Sequence, residues 1–158
     1  MNKNEYILKT VIRECKKHSK RMNYAYKNLS HKFPLTSEKI LKQSDEEIAL
    51  LDQFIYRFSK LQDAIGQKLF KSVLILLDEN VENKSAIDIF NRLEQLEVIN
   101  DYETWKNLRA LRNELAHEYE EDEDKLAELL NLLFEKKSQL EKYFIDILSY
   151  LSNKSFAV

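Results

Sequence analysis

SDEEIALLDQFIYRFSKLQDAIGQKLFKSVLIL, residues 44–76, places Ile48, Leu51, Ile55, Phe58, Ile65, Leu69 and Leu76 at helical spacing over about thirty residues. Ser44-Asp45-Glu46-Glu47 at its head matches a capping box, so the stretch reads as one long central helix. Gly66 inside it costs about 1 kcal/mol relative to alanine, which points either to close approach of a neighbouring helix or to a bend.

Working outward, a first helix is expected from about Glu5 to Ser30, with Leu8, Val11, Ile12, Cys15, Met22 and Tyr26 on its apolar side and Pro34 ending it. Beyond the central helix, the polar run 79–84 gives way to Ser85-Ala86-Ile87-Asp88, which opens a short helix through Ile87, Phe90, Leu93 and Leu96. Asn100 or Asp101 caps a fourth helix carrying Trp105, Leu108, Leu111 and Leu115, which ends near the acidic run 120–124. A fifth follows from about Asp124 to Leu151, through Leu126, Leu129, Leu133, Leu140, Phe144 and Ile147. Gly66 is the only glycine and Pro34 the only proline, so tight hairpins and phosphate-cradling loops lack their residues. The expectation is an all-α fold, an antiparallel bundle of about five helices forming a single domain over residues 1–158.

The strongest apolar run, 73–77, is far short of the roughly 20 residues that span a bilayer, and the start of the chain lacks a secretory pattern. A cytoplasmic protein without membrane contact is expected. Cys15 is the single cysteine, excluding an internal disulfide and favouring a small buried thiol over a nucleophile. Residues 1–42 hold eleven Lys and Arg against three Asp and Glu, while residues 43–158 hold fourteen against twenty-four. The asymmetry suggests a basic face on the first helix, although Lys16, Lys17, Lys20 and Arg21 equally suit a merely solvated surface.

No nucleotide-binding loop, zincin motif, Cys pair or nucleophile elbow occurs, and His18, His31 and His117 are not at metal-ligand spacing. Neither a metal nor a cofactor is expected. One segment, residues 108–119 on the fourth helix, concentrates chemistry. At about 100° per residue, Leu108, Leu111 and Leu115 fall within roughly 60° and define the core stripe, with Arg112 just beside it. Ala116, Arg109, Asn113 and His117 form a polar face, and Glu103, Glu114 and Glu118 lie on the far side. Such a face suits RNA cleavage by attack of a ribose 2′-hydroxyl on the adjacent phosphate. An imidazole ordinarily titrates near neutral pH and can move the proton, while a guanidinium matches phosphate oxygens and stabilises added negative charge. His117 fits the first role and Arg112 the second, with Arg109 assisting.

Five residues on an ideal helix set Arg112 and His117 about 140° apart. Either the helix bends, or the arginine reaches round, or two copies of the motif meet across a twofold axis, which predicts a dimer. A structural alternative stands beside these. Arg112 could pair with a carboxylate of an adjacent helix, and His117 could be a partly exposed residue at the negative helix end. Tyr119, about 20° from Arg112, could be core packing.

Arg112-Asn113-Glu114-Leu115-Ala116-His117 resembles the R-x-x-x-x-H signature of HEPN domains, and Tyr119 extends it to the R-x-x-x-x-H-x-Y form of HepT toxins. Residues 57–63 loosely resemble segments of such proteins. The resemblance implies a five-helix all-α domain, a dimer with two motifs in one cleft, and a toxin of a toxin-antitoxin pair that cleaves RNA without metal. It implies catalytic roles for Arg112 and His117, a supporting role for Asn113, and Tyr119 as the residue onto which a minimal, MntA-like nucleotidyltransferase antitoxin transfers AMP. The competing expectation is a non-catalytic helical substrate-binding or docking subunit of a nucleotidyltransferase.

Overall fold

A computed structural model of the chain describes residues 1–118 and 122–156, and every regular element among them is helical. Helix α1 spans Lys3–Leu29, and the Asn2 side chain closes its first turn by accepting from the Glu5 amide. A single 3₁₀ turn, Ser30–Lys32, follows. The short helix α2, Ser37–Leu41, occupies what reads in sequence as a plain polar connection. A long rod comes next: α3, Asp45–Asp63, passes through a π turn, Ala64–Leu69, into α4, Phe70–Leu76. Ser44 caps the rod, and Ser85 with Asp88 forms a reciprocal capping box on α5, Ala86–Gln95. Helices α6, Tyr102–Glu118, and α7, Glu123–Asn153, complete the bundle.

The fold is thus the expected all-α bundle, with the five long segments where periodicity puts them. Buried side chains of all these long segments join one core cluster. Eight members of the predicted stripes are not fully buried: Tyr26, Ile55, Leu76, Leu96, Leu111 and Leu126 pack against the cluster half-buried, and Ile48 and Ile87 stay outside it. Ile48 and Ile87 are exposed, and Ile55 is only half-buried, while Phe54 and Leu61 are buried in its place. Aromatic rings bind the helices across the core. Phe134 of α7 stacks on Phe33 at 3.7 Å and on Tyr26 at 4.2 Å, and Phe54 of α3 meets it at 5.3 Å. At the other end Trp105 of α6 lies 5.0 Å from Phe70 and 5.1 Å from Tyr143.

Gly66 has the packing reason its position suggests. A Cβ at this position would stand 2.9 Å from the Trp105 ring, so only hydrogen lets α6 approach the rod so closely. Cys15 is fully buried, and burial together with Glu14 pushes its thiol up to about 12, leaving it protonated and inert. The connection before α2 is held by an amide mimicking a backbone pair. Asn131 of α7 accepts from the Leu35 amide at 2.7 Å and donates to the Leu35 carbonyl at 2.9 Å. Among the described residues no helix is long and apolar enough to cross a membrane.

Candidate functional site

Helix α6 is anchored at both ends of its buried stripe. At its start, Asp101 accepts from the Thr104 amide at 3.0 Å and the Thr104 hydroxyl at 2.6 Å, and these bonds hold its carboxyl below the usual range. Tyr143 donates to the Asp101 carbonyl at 2.7 Å; burial, foremost, raises its phenol. Trp105, Leu108 and Leu115 are buried and Leu111 is half-buried, so the leucine stripe faces the core as its spacing requires. With that face fixed, the opposite sector must be wet. Arg109, Asn113, Ala116 and His117 are all exposed.

Arg112, at the edge of the stripe, turns toward α3. Its Nη2 lies 3.2 Å from Oδ2 of Asp63, with about a third of each side chain exposed. Helix α6 runs unbroken through His117, so no interruption of the helix carries the imidazole round to Arg112. The two predicted residues share a helix but face different sectors within one chain. Of the five donors of the guanidinium, this bond uses one among the described residues. Glu114, on the far side, pairs with Lys125 of α7 at 3.3 Å and keeps its carboxylate away from the basic sector. Tyr119 lies outside the described residues. Among those residues no group of three His, Cys, Asp or Glu is placed to hold a metal ion.

Two features beside Arg112 were not visible in the sequence. Asp63 is the last α3 residue before the π turn, and periodicity says nothing about which carboxylate meets α6. Next to it Gln62 is 3% exposed, and neither its Nε2 nor its Oε1 has a hydrogen-bond partner among the described residues. A π turn, an orphaned buried amide and a cross-helix ion pair therefore coincide at residues 62–66. Wide turns of this kind recur at functional sites.

A second polar centre joins α1 to α3. Arg57 Nη1 lies 2.9 Å from His18 Nδ1, and because a guanidinium only donates, Nδ1 must be the accepting, unprotonated nitrogen. Burial first, then Arg57, with Lys60 and Lys17 adding and Glu14 opposing, lowers the His18 pKa. The folded chain therefore resists a proton that the unfolded chain accepts near pH 6.5, and stability present above that pH is lost as pH falls through it. The melting temperature is expected to drop between about pH 7.5 and about pH 5.5, and His18→Gln is expected to flatten that drop. Equal slopes in wild type and variant would exclude His18 as the titrating group.

In comparisons with known proteins, no family model, curated protein or solved structure matches this chain. The class that the geometry itself defines is an all-α bundle displaying a basic, histidine-bearing helix face.

Proposed function

We propose that this protein is an endoribonuclease toxin in which α6 cuts RNA without metal. The observation that carries this reading is the accessibility of the motif. His117 is exposed on the last turn of α6, and Arg112, at the edge of the stripe on the same helix, is about a third exposed and spends one donor on Asp63 among the described residues. In the reaction the ribose 2′-oxygen bonds to phosphorus as the bond to the 5′-oxygen breaks, yielding a 2′,3′-cyclic phosphate and a 5′-hydroxyl. His117 takes the 2′-hydroxyl proton, and Arg112 stabilises the additional charge on the phosphoryl oxygens. Since Arg112 and His117 occupy different sectors of one helix, two copies paired about a twofold axis supply the second imidazole, which protonates the leaving oxygen. Asn113 and Arg109 position the strand. A nucleotidyltransferase antitoxin inactivates the site by joining the Tyr119 oxygen to the α-phosphorus of ATP with release of pyrophosphate.

The test is incubation of the purified full chain with single-stranded RNA in excess EDTA. Cleavage that leaves 2′,3′-cyclic phosphate ends, and spares a 2′-deoxy strand, is expected. Uncut RNA, with or without added divalent metal, would overturn the reading. Co-expression with a minimal nucleotidyltransferase should add AMP to the wild-type mass and not to Tyr119→Phe.

One observation favours a second reading. The Arg112–Asp63 pair ties α6 to α3 and gives the arginine a structural occupation. In that case the chain is a non-catalytic docking subunit of a nucleotidyltransferase. It would then co-purify with that enzyme and leave RNA intact.

A further inference from the structure

Tyr56 is 53% exposed on α3. Two cations attend it. The Arg57 guanidinium carbon lies 5.3 Å from the ring centroid and Lys60 Nζ lies 5.6 Å away, both within cation–π range. Arg57 directs a hydrogen bond at the Nδ1 lone pair of His18 rather than at a carboxylate, so its positive charge is not cancelled there. From α1, Lys17 adds a further exposed cation close enough to influence His18.

Helical geometry sets the direction of this patch. Tyr56, Lys60 and Asp63 fall within about 60° on α3 and span about 10 Å along its axis. Asp63 holds Arg112 at 3.2 Å, so Tyr56, Lys60 and Arg112 follow one another along a single strip, with Arg57 flanking it on the side of His18. Asp52, one turn before Tyr56, bounds the strip with a carboxylate. An exposed ring beside Arg57 and Lys60, with the partly committed Arg112 beyond, offers the chemistry of a single-stranded nucleic-acid track, where a base stacks on the ring and phosphates meet the cations.

We infer that the α3 strip from Tyr56 through Lys60 to Arg112, flanked by Arg57, is the surface on which single-stranded RNA lies, with a base on Tyr56 and the scissile phosphate led to Arg112. This rests on the ribonuclease reading for its endpoint at Arg112, whereas Tyr56, Arg57 and Lys60 lie on α3, outside the α6 motif. Its side chains are exposed or half-exposed, so the variants below should fold, which thermal melting will verify.

The probe is a short fluorescein-labelled single-stranded RNA carrying 2′-O-methyl groups, which cannot be cut by 2′-hydroxyl attack. Fluorescence anisotropy measures its binding to the full chain over a salt series. Tyr56→Ala is expected to weaken binding about tenfold through loss of one stacked base. Arg57→Gln with Lys60→Gln is expected to reduce the slope of log affinity against log salt by about 0.7 for each phosphate that is no longer neutralised.

If the strip variants bind like wild type while unmodified RNA is still cleaved, the strip is wrong and the ribonuclease reading survives. If the strip variants lose binding but wild type cuts nothing, the strip is right and the nuclease reading fails. Absence of wild-type binding, or equal affinity for polyglutamate insensitive to Tyr56→Ala, overturns the strip.

Discussion

Replacing His117 by alanine is expected to slow RNA cleavage about 10²- to 10⁴-fold, the usual contribution of a positioned proton-transfer group. The imidazole is exposed and outside the core cluster, so the melting temperature should stay within the range of ordinary surface substitutions. Arg112→Ala should cost about 10²- to 10³-fold through loss of charge stabilisation at the phosphoryl group. Its bond to Asp63 is a partly exposed ion pair, worth at most about 1 kcal/mol, so the rate should fall far more than the stability. A purely structural arginine reverses that proportion. Arg112→Ala would then lower the melting temperature and leave the rate untouched, and Arg112→Lys would restore the stability. Measuring single-turnover rates and melting curves on the same preparations separates the two cases, and a wild-type rate in His117→Ala would remove the proposed chemistry altogether.

Glu141→Ala is expected to be the most damaging single change to stability outside the hydrocarbon core. Lys137 is 8% exposed on α7, and its ammonium donates to Glu141 and to Asn23 Oδ1 at 2.6 Å while lying 4.5 Å over the Tyr26 ring. Glu141 Oε2 in turn accepts from Asn23 Nδ2 at 2.9 Å and from Ser19 Oγ at 3.3 Å. The network crosses from α7 to α1 and has its donors and acceptors matched. Removing the carboxylate leaves the buried ammonium facing a ring and an amide, at a cost of about 3 kcal/mol, or about 6–12 °C for a chain of this size. The companion variant Lys137→Met with Glu141→Leu removes both charges and should recover most of that loss. Calorimetry of the three chains decides the matter. If the single and double variants melt together, the pair contributes nothing through desolvation.

The helices and the stripe that orients α6 were legible because burial writes a 3.6-residue period into the chain, and Ser44 and Ser85 mark their starts in side-chain chemistry. Gly66 was legible in part, since an expensive residue in a helix pointed either to a close neighbour or to a bend, and Trp105 is that neighbour. Period alone names a face and not the partner opposite it. The Arg112–Asp63 pair, the His18–Arg57 bond and the buried Lys137 depend on which helices meet, and by residue type each reads as surface. The exposed polar sector of α6 was readable, while its relation to a second copy lies outside a single chain.

The π turn keeps the rod in phase. Its wide turn takes up one surplus residue between Asp63 and Phe70, so Phe70 stands about 60° from Phe54 around the axis instead of the roughly 160° that sixteen residues of unbroken α-helix would give. Phe54 meets Phe134 of α7, and Phe70, about 24 Å further along the axis, meets Phe90 of α5 and Trp105 of α6. The turn works as an expansion joint, storing a residue without twisting the axle. Excising a single residue from it would leave Phe70 and Val73 aimed at their present neighbours, whereas tightening it to plain α-helix with every residue kept would swing both by about 100°.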